Sequence, residues 1–412
     1  MKVVHIGFRY GMNNTGGAAI ASTRLHLALL NAGIESHYVC VHRWEDGPNV
    51  HVLPKYRFAR YIYFLLVKFT RCIWRLTSYR RSISLNIVPM FGLEHLLAKI
   101  NPDVVHVQWI NADVCSFEQL ARLPYRLVFN LHDLYMINAV EVHPDSDTRF
   151  VTGFAKSNSK ILERWLFNRK WRLVNCCRAK GLSFVGPSAW AASMCQKSLI
   201  GKDLPVCVIS NLVDPEIRFH EKWRSLHEQF TILFCAFGGR RNSFKGWNDF
   251  EASIRVLANK ITDKKGLQIV VCGEDSEDTD ISGIGVHFLG VVNDAESLCR
   301  VYHAADVLAF PSNHETQGMT KVEALLCGVP VIAFDRTACA EGIVHGETGW
   351  IAADGDIDSF AEGVRHYYEL FCRNVIPHDA IAEVAQGIMA ESKILSDLLK
   401  VYRGCLESLS LS

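Results

Sequence analysis

The segment Val307-Leu-Ala-Phe-Pro-Ser-Asn-His-Glu-Thr-Gln-Gly-Met-Thr-Lys-Val-Glu-Ala-Leu-Leu-Cys-Gly-Val-Pro-Val-Ile-Ala333 reads as strand, loop, helix and strand in immediate succession. The apolar run at 307–310 stops at Pro311-Ser312, and residues 318–327 form a short helix closed by Gly328 and Pro330. Two carboxylates stand in this unit with seven residues between them, Glu315 in the loop and Glu323 inside the helix. Backbone amides at Gln317, Gly318, Met319 and Thr320 open the helix. Such orphan N–H groups and the helix dipole together favour an anion such as phosphate. Glu323 is surrounded by Met, Val, Ala, Leu and Cys in sequence, and an ionised carboxylate buried there costs several kcal/mol unless donors meet it. Sugar hydroxyls are suitable donors. Taken singly, each glutamate reads more readily as an ordinary acid, Glu323 on the solvent face of an amphipathic helix and Glu315 in a loop.

Outward from this unit, apolar runs at 231–237, 268–272, 286–289 and 329–334 alternate with helical stretches. An earlier series at 3–8, 37–41, 104–109, 127–132, 183–186 and 206–210 does the same. Strands alternating with helices predict parallel sheets covered on both faces. At 412 residues the chain exceeds one ordinary core. The expected class is α/β, with two Rossmann-like doubly wound domains facing a central cleft. Their expected bounds are 1–214 and 230–390, with a linker at 215–229 and a helical segment at 391–412 that packs back on the first domain. Ligands of such sheets bind outside the carboxyl ends of strands, so residues there are the site candidates.

Composition narrows the classes further. A formal net charge of +1 gives no general attraction to nucleic acid, and none is expected as a partner. The fourteen cysteines include an adjacent Cys176-Cys177 but no Cys-x2-Cys spacing, which argues against zinc fingers and a disulfide framework and for a reduced, cytoplasmic setting. Met1-Lys-Val-Val-His-Ile-Gly7 runs straight into a strand, without the layout of a secretion signal. No apolar run approaches the roughly 20 residues of a spanning helix.

Three further strand ends carry chemistry. Phe237-Gly-Gly-Arg-Arg-Asn-Ser-Phe-Lys-Gly246 places Arg240 and Lys245 in one loop, where Gly239 lets the backbone approach a ligand. Two fixed cations suit a diphosphate and the charge that grows on it as a leaving group. Arg241 is an ambiguous neighbour, and Arg240 is favoured because it directly follows Gly239. In Tyr10-Gly-Met-Asn-Asn-Thr-Gly-Gly-Ala18, Gly16 and Gly17 stand between the first strand and a helix, but without the Gly-x-Gly-x-x-Gly dinucleotide spacing. His132 ends the strand at 127–132 and is followed by Asp133; a neutral imidazole there suits a sugar hydroxyl, although a lone histidine at a strand end is more often structural.

The Glu-x7-Glu string resembles the signature of retaining GT-B glycosyltransferases, glycosyltransferase family 4 in particular. The Gly-Arg…Lys-Gly spacing, the Gly16-Gly17 pair and the His132-Asp133 pair are similar to that family as well. The resemblance implies a retaining hexosyltransferase that takes a sugar from a nucleotide-sugar donor. In such enzymes Arg240 and Lys245 would hold the donor diphosphate, Glu323 the ribose, Glu315 and His132 the sugar, and Gly16 and Gly17 the phosphate or the acceptor. Glu315, His132, Arg240 and Lys245 are thereby the catalytic candidates. Gly16, Gly17, Gly239, Arg240, Lys245, Gly318, Met319, Thr320 and Glu323 are the donor-binding ones. Ser188 and Asn211 also match family positions, with Leu212 where a glycine is usual, and Asn211 reads more readily as a turn residue. The residues after His132, Leu134-Tyr-Met-Ile-Asn-Ala-Val-Glu-Val-His143, depart from the family pattern and leave the acceptor open.

Asp145-Ser-Asp147 and Asp278-Thr-Asp280 match a metal-binding tripeptide of the other glycosyltransferase fold, but the pattern is common. Two cations and a helix start already answer a diphosphate, so transfer without metal or other cofactor is expected. A glycosidase using Glu315 and Glu323 as acid and nucleophile would leave Arg240 and Lys245 without a task. A noncatalytic sugar-nucleotide scaffold is the other alternative.

From Lys55 to Arg81 the chain holds eight Lys or Arg and many aromatics, and no acid occurs from Gly47 through Leu93. This suits either an anionic membrane surface or a core helix flanked by solvated cations. A second basic aromatic stretch at 156–180, with Trp165, Phe167 and Trp171, favours peripheral attachment at the inner face of the cytoplasmic membrane. A glycan or lipid-linked glycan acceptor and surface-polysaccharide assembly (capsule, O-antigen or exopolysaccharide) fit that setting.

Overall fold

The structure, a computed structural model, describes residues 1–12, 16–75, 84–143, 147–223 and 228–404, with the side chains of 73–75 set aside. Asp145, residues 13–15 of the glycine loop, residues 76–81 of the basic stretch, linker residues 224–227 and the end of the terminal segment from 405 lie outside it. The chain divides into two compact units. One comprises Met1–Leu212 together with Ser392–Ser412, and the other Val213–Glu391.

The first unit holds seven parallel strands: β1 (Lys2–Tyr10), β2 (Glu35–Arg43), β3 (Val50–Val52), β4 (Val104–Val107), β5 (Arg126–Asn130), β6 (Leu182–Gly186) and β7 (Val206–Val208). Their order is β3-β2-β1-β4-β5-β6-β7. The second unit has β8 (Phe230–Cys235), β9 (Leu267–Cys272), β10 (Thr279–Ile281), β11 (Ile284–Phe288), β12 (Val307–Phe310), β13 (Val331–Phe334) and β14 (Gly349–Ala352), in the order β10-β11-β9-β8-β12-β13-β14. Among the described strands only β10 runs antiparallel, as a hairpin with β11. With β10 set aside, both sheets follow the 3-2-1-4-5-6 order of a doubly wound fold.

These runs form interior strands because both of their faces are covered. Every residue of β4, β6, β12 and β13 is buried, the pattern of a parallel sheet between helical layers. Each buried Val, Ile, Leu or Phe contributes about 1.5–3 kcal/mol relative to exposure, enough to override the lack of alternation. The strand order then places the site. It reverses between β1 and β4 and between β8 and β12, and a ligand crevice opens at the carboxyl ends of such strand pairs. The Gly16-Gly17 loop follows β1 and the Arg240–Lys245 loop follows β8; Glu315 lies after β12.

The helix Glu391–Arg403 belongs to the first unit, where the Tyr402 hydroxyl bonds His106 Nδ1 at 2.7 Å. The stretch at 156–180 turns two of its eight cations inward. Lys170 is fully buried and donates to the carbonyls of Tyr135, Asn138 and Ala139, while Arg169 is buried against Glu118 at 2.6 Å. Lys180 likewise caps the carbonyls of Ala121 and Leu123. Orphan carbonyls at turns recruit these cations, a use that residue type alone does not reveal.

Candidate functional site

In the second unit, the loop after β8 makes two short helical turns, Gly239–Arg241 and Ser243–Lys245. Gly239 is buried and begins the first, and the Asn242 side chain caps the second by accepting from the Phe244 amide at 3.2 Å. Gly246 closes the loop at φ +70°, and a Cβ there would stand 1.9 Å from the carbonyl oxygen of Pro311. The loop is therefore pressed against the end of β12. Asn313 stitches the two loops with a backbone bond to Phe244 at 2.8 Å and a side-chain bond to the Ser243 carbonyl at 3.0 Å.

This clamp fixes two cation–carboxylate pairs. Glu274, at the end of β9, accepts from the Arg240 amide at 2.7 Å and from its guanidinium at 3.0 Å; the Arg240 guanidinium carbon lies 4.4 Å from the Phe288 ring centroid. Burial alone would raise the Glu274 carboxyl, but Arg240 holds it below the usual value. Arg241 is 80% exposed and 3.8 Å from Glu274, so Arg240 is the ordered cation of the two. Lys245 Nζ donates to Glu315 Oε1 at 2.6 Å. Burial pulls the Lys245 ammonium down, and the Glu315 charge and hydrogen bond more than restore it, leaving it raised.

The helix Met319–Leu326 starts beside this pair. Its N-cap, Gly318, sits at φ +81° with its Cβ position 2.7 Å from the Phe310 ring, so a side chain there would collide with the strand end. Met319 and Thr320 form the first turn, whose amides need partners beyond the helix. Glu323 is buried one turn further along, and its Oε2 accepts from the Tyr302 hydroxyl at 3.0 Å. Lys321 is buried on the same helix and ties the following loop by donating to the carbonyls of Ala338 and Glu341 at 2.7 and 2.6 Å; burial lowers its ammonium to about 8. Arg240, Lys245, Glu315, Gly318 and Glu323 are thus organised around the ends of β8 and β12.

In the first unit, Gly16 and Gly17 border a cavity of about 320 Å³ shared with Arg9, Tyr38 and Trp109, and among the described residues none beyond their chain neighbours and helix places an atom within 4 Å of either glycine's Cβ position. His132 Nε2 bonds Gln108 Oε1 at 2.9 Å, and Gln108 in turn donates to His5 Nδ1 at 2.9 Å. Burial lowers the His132 imidazole to about 4, so it is neutral at pH 7. Asp133 is a clamp within the unit, accepting from Trp109 Nε1, Asn111 Nδ2 and the Tyr135 amide at 2.7–3.0 Å. Ser188 caps the helix Ala189–Lys197 through a 3.0 Å bond from the Ala191 amide.

The aspartate tripeptides have local work. Asp147 pairs with Arg149 at 2.8 Å, Asp278 bonds His287 at 2.8 Å, and Asp280 accepts from the Gly283 amide at 2.8 Å. Cys299, His303 and Cys327 do gather three ligand-type atoms. His303 Nε2 accepts from the His220 amide at 2.8 Å, which puts the ring proton on Nδ1, where it meets the Cys299 carbonyl at 2.8 Å. Both ring nitrogens are engaged, and the cluster reads as core packing.

Glu274, Tyr302, Arg9 and Gln108 were not singled out from sequence. Glu274 lies two residues beyond the predicted run 268–272, so the strand-end rule could have found it. Tyr302 lies inside a helix and carried no local signal.

Residues 231–369 match the family described as glycosyl transferases group 1, and residues 15–217 the family described as glycosyltransferase family 4. The 2-deoxystreptamine N-acetyl-D-glucosaminyltransferase of Niallia circulans is 29% identical over 161 residues, 37% of this chain and 38% of that protein. The capsular polysaccharide biosynthesis glycosyltransferase CapM of Staphylococcus aureus is 26% identical over 154 residues, 36% of this chain and 39% of CapM. The chain thus spans less than two fifths of the length of either relative in its match. Among solved structures, sucrose-phosphate synthase from Thermosynechococcus elongatus superposes with a TM-score of 0.67 at 15% identity, covering 98% of both chains. HepE of Anabaena in complex with UDP does so at 0.62 and 14%, covering 98% of this chain and all of that one. At such identities the likeness is one of fold.

Proposed function

The chain belongs to the group 1 glycosyltransferases of family 4, with the two Rossmann-like domains of the GT-B fold, and on that premise we propose that it moves a sugar from a nucleoside-diphosphate sugar to a hydroxyl of a glycan or lipid-linked glycan, with retention of configuration. The observation that carries this reading is the pair of anchored cations, Arg240 and Lys245, beside the helix start at Gly318. A diphosphate is dianionic, and its charge increases as the sugar leaves. Cations already oriented for it stabilise the departing group without reorganising. Glu315 would then pass from Lys245 alone to a position shared with the donor sugar. Glu323, held by Tyr302, would accept from the ribose hydroxyls, and the neutral His132 would bond a sugar hydroxyl. Gly16 and Gly17 would offer an unobstructed backbone to phosphate or acceptor. Front-face attack, with the donor phosphate helping to deprotonate the incoming hydroxyl, accounts for the absence of an assigned protein base. The CapM match supports a place in surface-polysaccharide assembly, and the UDP bound by HepE makes uridine diphosphate sugars the first donors to try.

A thermal-shift and hydrolysis screen over UDP-, GDP- and ADP-sugars tests the reading. One donor class is expected to stabilise the protein and to be slowly hydrolysed without acceptor. Release of sugar from a glycan with no nucleotide present would instead make it a glycosidase, and binding with neither transfer nor hydrolysis would make it a scaffold. Activity is expected to persist in EDTA; its loss, with recovery on adding magnesium or manganese, would overturn metal-independent transfer.

Tyr302→Phe removes one hydrogen bond from a buried carboxylate, an interaction worth about 1.5–3 kcal/mol. The donor KM is expected to rise by about tenfold or more while kcat changes little, since ribose contacts are made equally in ground and transition states. A fall in kcat at constant KM would place Glu323 in the chemistry instead.

A further inference from the structure

The helix Arg57–Arg75 presents three distinct sectors around its axis. Tyr63, Val67 and Thr70 are buried, and the Tyr63 hydroxyl reaches the Asp113 carbonyl at 2.8 Å. On the opposite side Phe58, Tyr61, Leu65 and Phe69 recur at spacings of three and four, the period of one helical stripe. All four face solvent, and the three aromatics are 64–75% exposed. Exposed Arg57, Lys68 and Arg71 line one flank between the two sectors. The surface therefore carries a contiguous apolar ridge bordered by cations, whereas isolated exposed apolar residues are ordinary.

The ridge's setting indicates its occupant. No carboxylate occurs from Gly47 through Leu93, so this part of the chain offers anions no repulsion of its own. Among the described residues no helix is long and apolar enough to cross a membrane. A basic-flanked helix with an outward aromatic face lies in the headgroup plane, rings toward the acyl chains and cations toward lipid phosphates. We propose that the outward face of Arg57–Arg75 is a monotopic docking surface for anionic phospholipid bilayers. The stretch at 156–180 is not needed for it, since Arg169 and Lys170 are committed inside the unit.

Full-length protein is sedimented with vesicles of phosphatidylcholine alone and with vesicles containing about one third phosphatidylglycerol, at about 0.15 M salt, without any sugar donor. The wild type is expected to pellet with the anionic vesicles and to be released as salt rises. The triple variant Phe58→Ser, Tyr61→Ser, Phe69→Ser and the double variant Arg57→Glu, Lys68→Glu should each lose about tenfold or more in binding. Because these positions are exposed, the melting temperature serves as a control and should stay unchanged. Equal binding to both vesicle types, or undiminished binding by either variant, overturns the proposal. A wild-type dimer in light scattering that the triple variant abolishes also overturns it, and assigns the face to a second copy of the chain.

Discussion

Lys245→Ala is expected to lower kcat for sugar transfer by about 10²–10³-fold, the cost of removing one preorganised group that meets charge developing in a transition state. The ammonium is held in place before any donor arrives. The Asn242 cap, the close approach of Gly246 to Pro311 and the stitching by Asn313 leave the loop little freedom, and Glu315 fixes Nζ at 2.6 Å. Only one of its three donors is spent on Glu315. The simple alternative is that Lys245 merely neutralises Glu315, and a double-mutant cycle separates the two. If neutralisation is the whole role, Lys245→Ala should cost nothing further in a Glu315→Gln background, whereas if Lys245 acts on the diphosphate it should slow that background as much as it slows the wild type. Lys245→Arg keeps the charge but exchanges a compact ammonium for a planar fork, so only partial activity is expected. Arg240→Ala should act in the same direction, and leaves Glu274 with the residue-240 amide and the more distant Arg241 in place of its close guanidinium partner. Unchanged kcat in both alanine variants, measured with saturating donor, would remove these residues from the chemistry.

The sequence revealed strand positions more readily than pairings. Runs such as 307–310 and the helix after Gly318 are written in local composition, and the structure places them at Val307–Phe310 and Met319–Leu326. β3, β10 and β14 went unread because they are sheet edges whose residues are not all buried, so they lack the fully buried apolar run that marks β12 and β13, and their strand character comes from neighbours in the sheet. The same limit applies at the site. Arg240 and Lys245 were visible as residue types at a strand end, whereas their partners Glu274 and Glu315 lie 34 and 70 residues away. Those distances are closed by strand order, which no short window contains. Lys170 shows the limit from the other side. In sequence it belongs to a basic surface stretch, yet three carbonyls of the turn at 135–139 draw it fully inside.

Acidification from pH 7 to pH 5 is expected to cost the first unit several kcal/mol of stability, because its sheet and first helix enclose histidines that fold in the neutral form. His5 and His106 pair across β1 and β4 with ring centroids 5.3 Å apart, and His26 packs 6.0 Å from His5. Burial lowers His26 to about 4 and His106 to about 3, and takes His5 well below its ordinary value, with His106 and His26 adding repulsion. Among the described residues neither His5 Nε2 nor His106 Nε2 has a hydrogen-bond partner to receive a proton's charge. The sign follows from proton uptake. Below about pH 6.5 the unfolded chain binds protons that the folded unit refuses, so stability falls with pH and levels off only below the folded values. At pH 5 the loss is about 2 kcal/mol for each of His26 and His106, with His5 adding to it, against a typical total of about 5–15 kcal/mol. Burial raises the carboxyls of Asp113 and Asp133, which opposes this trend, but hydrogen bonds from Asn86 and Leu85 and from Tyr135 and Trp109 restrain both shifts. Urea titrations at pH 7 and pH 5 should show the drop, and hydrogen exchange should locate it in β1 and β4. His106→Asn retains an acceptor for the Tyr402 hydroxyl while removing one titrating ring, and should flatten the slope by up to about 1.4 kcal/mol per pH unit. Constant stability between pH 7 and pH 5, or an unaltered slope in His106→Asn, would show that these rings accept protons without loss of the fold.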